Sequence, residues 1–169
     1  MDSEIALFWL KIVQQHPELE GRIYHVEHFG TPGDLAQQLS ELIVSGEKYA
    51  TCGALDEYWH EGMTIPTAGY LTIVLDGHEK PVAAIETTQV SLRRFRDVDA
   101  IFAAAEGEGD KSLAYWRQAH QTFFEASQQA IDKTFSEDMW LVCEYFRLLG
   151  GRKQKQRLYK ALFLYSEVA

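Results

Sequence analysis

Apolar positions recur along this chain with two different periods, and the changes between them mark its elements. Ile5, Phe8, Trp9, Ile12 and Val13 fall at i, i+3, i+4, i+7 and i+8, which predicts a helix with one buried face. A strand-like stretch follows over 23–29. Thr31-Pro32-Gly33-Asp34 then supplies a cap, a proline at the first helical position and an early acid, so a second helix is predicted there, with Leu35, Leu39, Leu42 and Ile43 inward. Gly46 ends it as a left-handed cap. From there the period shortens to two. Strands are predicted over 48–55, 70–75 and 82–90, with Asp76-Gly77 as a hairpin turn between the last two. Helices return over 98–105 and 112–130, and 139–149 reads as a closing strand before Gly150-Gly151. This order is α+β and excludes a doubly wound nucleotide fold built from βαβ units.

Composition narrows the class. The 169 residues, 46% of them hydrophobic, suit one domain with one packed core. The first helix begins without a basic leader and no apolar run is long enough to span a bilayer, so a soluble, cytoplasmic protein with no membrane partner is expected. Cys52 and Cys143 stand 91 positions apart with no CxxC or Cys/His spacing, which predicts reduced thiols rather than a zinc site or disulfide framework. The net charge of -9 argues against non-specific coating of nucleic acid. Its distribution is uneven. Arg152, Lys153, Lys155, Arg157 and Lys160 against Glu167 alone give residues 151–169 a charge of +4, leaving -13 on the first 150. Two units are therefore expected: a domain over 1–150 including the first helix, and a basic extension over 151–169, in which Leu158, Ala161, Leu162 and Tyr165 predict a helix over 154–166.

Four stretches could carry chemistry. Gly46, Lys48 and Thr51 form GxKxxT, which puts a lysine at a helix-to-strand turn ahead of a hydroxyl; a lysine there contributes little to a core, and partial burial would lower its pKa toward use as a base. Glu86 lies in VAAIETTQV among small and β-branched neighbours. In EGEGDKSLAYWRQAH, Gly107 and Gly109 allow a tight interhelical turn and Ser112 can cap the next helix, whose apolar face holds Leu113, Trp116, His120, Phe123 and Phe124; Asp110 and His120 are left over as candidates for a cleft. The three acids there, Glu106, Glu108 and Asp110, would repel phosphate. Arg93, Arg94 and Arg96 around Phe95 make a basic-aromatic cluster of the kind that lies along a nucleic acid strand. His25 and His28, three apart on a strand, point to opposite faces and predict no metal pair.

GxKxxT, PVAAIETTQV running to FRDVDAIFAAAEGEGD, SLAYWRQAHQTFF and MWLVCEYFRLL together resemble the ASCH domain family, a branch of the PUA-like superfamily, over roughly residues 20–150. The resemblance implies a small, partly open β-barrel with flanking helices and a cleft on one side. It also implies RNA or a modified nucleoside as partner, and three activities stay open: a ribonuclease on single-stranded RNA, an amidohydrolase of N4-acetylcytidine-type nucleosides, and a non-catalytic module. Carried over residue by residue, the catalytic lysine, threonine and glutamate fall on Lys48, Thr51 and Glu86, with Thr51 as nucleophile, Lys48 as its base and Glu86 opposite. Tyr49, Arg93, Asp110, Trp116 and His120 are the candidate substrate contacts. A divalent cation such as Mn²⁺ or Mg²⁺ is admitted without a protein motif to hold it, and a homodimer is left open.

Overall fold

The fold is seen in a computed structural model that describes residues 3–152. In chain order it comprises α1 (Ser3–Gln15), β1 (His25–His28), α2 (Asp34–Ser45), β2 (Ala50–Ala54), α3 (Leu55–Glu61), β3 (Leu71–Leu75), β4 (Pro81–Arg94), α4 (Ala100–Glu106), α5 (Leu113–Ala130) and β5 (Trp140–Gly151). The strands form one five-stranded sheet in the order β1-β3-β4-β5-β2, antiparallel except that β1 runs parallel to β3. The architecture is α+β, a curled half-barrel of five strands with helices packed around it. The helix predicted over 154–166 lies outside the described residues. Among those described, no helix is long and apolar enough to cross a membrane.

Period-two alternation decides which helix packs on which face. Leu71 and Ile73 of β3, Ala84 of β4 and Leu149 of β5 meet Phe8, Trp9 and Ile12 of α1 on the outside. Their neighbours Val74, Ala83, Ile85 and Phe146 point the other way, onto Leu39 and Ile43 of α2. A third cluster joins Phe102 of α4 and Trp116 and Phe124 of α5 to Ala50, Ala54, Leu141 and Cys143 of β2 and β5. Each fully buried large side chain contributes roughly 1.5–3 kcal/mol, so the three clusters outweigh any single surface ion pair. Residues from both edge strands, β1 and β2, line the same cavity, which is possible only because the sheet curls on itself.

Local geometry corrects three expectations. α2 begins at Asp34 rather than Pro32, because Gly33 at φ 100° cannot sit inside a helix. The β3–β4 connection is a five-residue loop, 76–80, rather than a two-residue turn: Asp76 donates its backbone N–H to the Lys80 carbonyl, and its carboxylate accepts from the N–H groups of His78 and Lys80. Residues 55–61 are helical where strand and loop were expected. Asp56 and Glu57 in the first turn and a left-handed Gly62 at the end were the signs.

Candidate functional site

Lys48 is turned inward by the way α2 ends. Gly46 takes the left-handed cap at φ 80°, and the backbone N–H groups of Glu47 and Lys48 both return to the Leu42 carbonyl. The N–H of Tyr49 then bonds the Ala105 carbonyl, tying this turn to the end of α4. The approach is so close that a Cβ at Gly107, itself at φ 73°, would lie 2.4 Å from the Glu47 carbonyl oxygen. Gly107→Ala is therefore expected to lower stability by roughly 2–3 kcal/mol through backbone strain and displacement of this turn. An unchanged urea midpoint would rule out the close packing.

What the approach achieves is a buried ionic network. Lys48 and Glu106 are each 1% exposed. The ammonium donates to Glu106 Oε2 at 2.5 Å and to Glu108 Oε1 at 2.9 Å. Glu106 Oε1 accepts from Trp116 Nε1 at 3.1 Å and lies 3.4 Å from His120 Nε2, and His120 Nδ1 donates to the Trp116 carbonyl at 3.0 Å. Burial alone would push the Glu106 carboxyl up, but Lys48 and His120 together hold it well below the usual carboxylate range. Burial likewise works against the Lys48 ammonium, and Glu106 and Glu108 overcome it, raising its pKa above the ordinary value. Lys48 is thus a fixed cation held between two carboxylates.

On the other side of β2 lies a cavity of about 440 Å³ to which all five strands contribute. Its inner wall carries Thr72, Thr87 and Glu144, and its rims carry His25 and Glu27 of β1 and Thr51 and Cys52 of β2. Glu144 stands opposite Thr51 in the β2–β5 register and accepts a hydrogen bond from Thr87 Oγ1 at 3.0 Å. Burial, with the Glu27 carboxylate adding to it against the pull of the Thr87 bond, raises its pKa to about 7. Tyr70 is pushed up to about 12 by burial and by Glu27 and Glu144, and its ring stacks on His25 at 4.1 Å between centroids. Thr51 and Cys52 also border a smaller cavity of about 150 Å³, lined on its far side by Lys48, Glu106, Glu108 and His120.

The sequence model of the ASCH domain matches residues 25–150, most of the chain. This chain belongs to the ASCH domain family. Among solved structures, the ASCH domain from Lactobacillus crispatus JV V101 superposes with a TM-score of 0.82 at 34% identity, over 88% of this chain and 96% of that one. A protein from Enterococcus faecalis V583 does so with a TM-score of 0.80 at 36% identity, over 88% and 89%. No curated relative matches the chain. ASCH domains are PUA-like and generally nucleic-acid-associated.

Within this ASCH domain the residues singled out from sequence do not all converge. Lys48 and Thr51 border the smaller cavity together. Glu86 does not join them. Ile85 and Thr87 line the large cavity, so Glu86 faces outward, where it pairs with Arg147, whose Nε donates to it at 2.7 Å. The acids that meet Lys48 are Glu106 and Glu108, and the acid of the large cavity is Glu144. Trp116 and His120 stack on each other at 4.3 Å inside the network. Asp110 is exposed and accepts the Ser112 N–H at the start of α5. Tyr49 is half exposed and stacks loosely on Tyr145, 6.5 Å away. Arg93 pairs with Asp99 at 3.1 Å and lies over Phe102, while Arg94 and Arg96 share Asp138 and Arg96 also has Asp97 at 3.9 Å, so each guanidinium of this cluster already has a carboxylate beside it. Sequence reasoning missed Glu144 because MWLVCEYFRLL reads as a buried strand. The signal was there, since one acid in a run of apolar residues needs a reason.

Proposed function

We propose that this ASCH domain takes a single nucleobase or nucleoside, free or unstacked from single-stranded RNA, into the cavity of the half-barrel. The observation that carries the reading is the lining of that cavity. Its volume of about 440 Å³ falls in the range of small-molecule pockets, and its walls pair an aromatic stack, His25 on Tyr70, with hydroxyls of Thr51, Thr72 and Thr87 and the Glu144 carboxyl. A base needs a flat apolar surface and a few groups along its edge, and a carboxyl that is half protonated near neutrality can both donate and accept there. Phosphates would remain outside, because Glu27 and Glu144 repel them.

Thr51 supports a second reading, hydrolysis of an amide on the bound base. It borders both cavities, with Lys48 on one side and Glu144 across from it in register. Its hydroxyl would be the nucleophile and ionised Glu144 the base, since Lys48 is held as an ammonium by two carboxylates and serves as a fixed positive charge. Ribonuclease chemistry is the less favoured activity, because it would seat a phosphate among these acids.

Calorimetric titration with nucleosides and short single-stranded RNA tests the binding reading. Wild-type affinity is expected to change about ten-fold between pH 6 and 8, while Glu144→Gln flattens the profile and Glu86→Gln does not. Equal affinity and an equal pH profile in Glu144→Gln would sink the assignment. Incubation with N4-acetylcytidine separates turnover from binding. Stability supplies an independent readout. The raised pKa means that the folded state holds this proton more tightly, so stability is full below about pH 4.5, falls by on the order of 2–3 kcal/mol as pH rises through about 7, and then levels off. Glu144→Gln should remove that slope.

A further inference from the structure

The smaller cavity brings together three donors of different chemistry that the chain keeps far apart. Cys52 Sγ from β2, a Glu106 carboxylate oxygen from the end of α4 and a His120 ring nitrogen from α5 lie within 4.8 Å of one another. The spacing of these residues in sequence gives no metal motif, and none was expected from it. We propose that Cys52, Glu106 and His120 form a mononuclear site for a borderline divalent ion of the Zn²⁺ or Co²⁺ class.

Three features of the geometry carry this. First, the ring of His120 is oriented as a ligand's is: Nδ1 donates to the Trp116 carbonyl, which leaves Nε2 facing Glu106 Oε1 at 3.4 Å. That separation already matches two ligand atoms of one tetrahedral ion, whose bonds to nitrogen and oxygen are each about 2.0–2.2 Å. The widest pair needs to close by about 1 Å, a side-chain movement. Second, the donor set selects the ion. Thiolate with imidazole and carboxylate suits zinc or cobalt and disfavours the all-oxygen preference of Mg²⁺ and Ca²⁺. Third, these residues line a cavity of about 150 Å³ shared with Thr51, which leaves room for a water or ligand atom in the fourth position.

The charges facing the site can accommodate the ion. Lys48 is positive, and Glu106 and Glu108 are negative. Bound there, the divalent ion would displace the Cys52 thiol proton, and the ion, the thiolate, Lys48 and the two carboxylates would sum to zero. Lys48 keeps Glu106 Oε2, so the ion takes Oε1 and the salt bridge persists.

The probe is Co²⁺, added to full-length protein first dialysed against a chelator. Binding is expected to produce a thiolate-to-cobalt band in the near ultraviolet together with visible bands of tetrahedral intensity, both bleached by Zn²⁺ and untouched by Mg²⁺. Proton release in weakly buffered solution should accompany the titration. Cys52→Ser should abolish the near-ultraviolet band while retaining the melting temperature, and His120→Asn should weaken binding at least about ten-fold. Should His120→Asn not fold, Cys52→Ser decides alone. A folded wild-type protein that shows neither band nor proton release overturns the proposal, as does a near-ultraviolet band that survives in Cys52→Ser. Either result leaves the nucleobase reading of the large cavity standing, since that rests on Glu144 and the sheet face.

Discussion

Replacing Lys48 with methionine is expected to destabilise the protein by about 3–5 kcal/mol, the cost of leaving a buried charge without its partner. The methionine fills nearly the same volume, so packing is spared and the loss is electrostatic. Glu106, 1% exposed, would lose its lysine partner and keep the Trp116 N–H, His120 and the Cys52 thiol, and Glu108 would lose its reason to turn inward. Pairing the change with Glu106→Gln should recover part of the loss, because the second substitution removes the stranded carboxylate. Urea unfolding of the two single variants and the double variant measures this. Simple additivity, or a Lys48→Met midpoint equal to the parent's, would show that the network is not what holds the turn to α4. The result also bears on a lysine that, judged at a helix-to-strand turn, looks dispensable to the core. Any loss of activity in a Lys48 variant has to be separated from loss of fold.

Trp116→Ala should cost a similar amount, about 3–5 kcal/mol. Its ring packs at 5.2 Å from Phe95 and stacks on His120, and its indole N–H holds Glu106. Trp116→Phe separates the two roles. It keeps most of the ring volume and removes only the bond to the carboxylate, for which roughly 1.5–3 kcal/mol is expected. Thermal melts of both variants provide the check. If Trp116→Ala melted with the parent while nucleoside binding disappeared, the ring would be a ligand contact instead of a core residue.

How far the molecule was legible in its sequence depends on the range over which each signal acts. The apolar stripe of Ile5, Phe8, Trp9 and Ile12 and the alternation through β4 are local, and they placed α1, α2, α5 and the long strands to within a few residues. Turn conformation was less accessible. Gly33 could be read as the first turn of α2 because only its φ of 100° rules this out. The site was hardest. Lys48 and Thr51 were found because they are neighbours in the chain, whereas the partners of Lys48 come from 58 and 60 positions away, across a contact that Gly107 permits. Glu86 and Glu144 illustrate the limit. Each is a single acid on an otherwise apolar or small-residue strand, and which of them faces inward depends on the curl of the sheet and on the register shifts between β4 and β5.

That curl has a mechanical side. Among the described residues β1 and β2 are the edges of the sheet, and no ladder of hydrogen bonds joins them across the cavity. Between them, Leu39 and Ile43 of α2 press against Val74, Ile85 and Phe146 of the three central strands and so bear on how far the sheet curls. A closed barrel sets its bore by strand count and stagger, but here the bore follows the thickness of a few aliphatic side chains. The size of guest the cavity accepts is thus tunable from Leu39 and Ile43, which do not line it, and divergence among related domains in α2 can retune the fit while every polar group of the pocket stays the same.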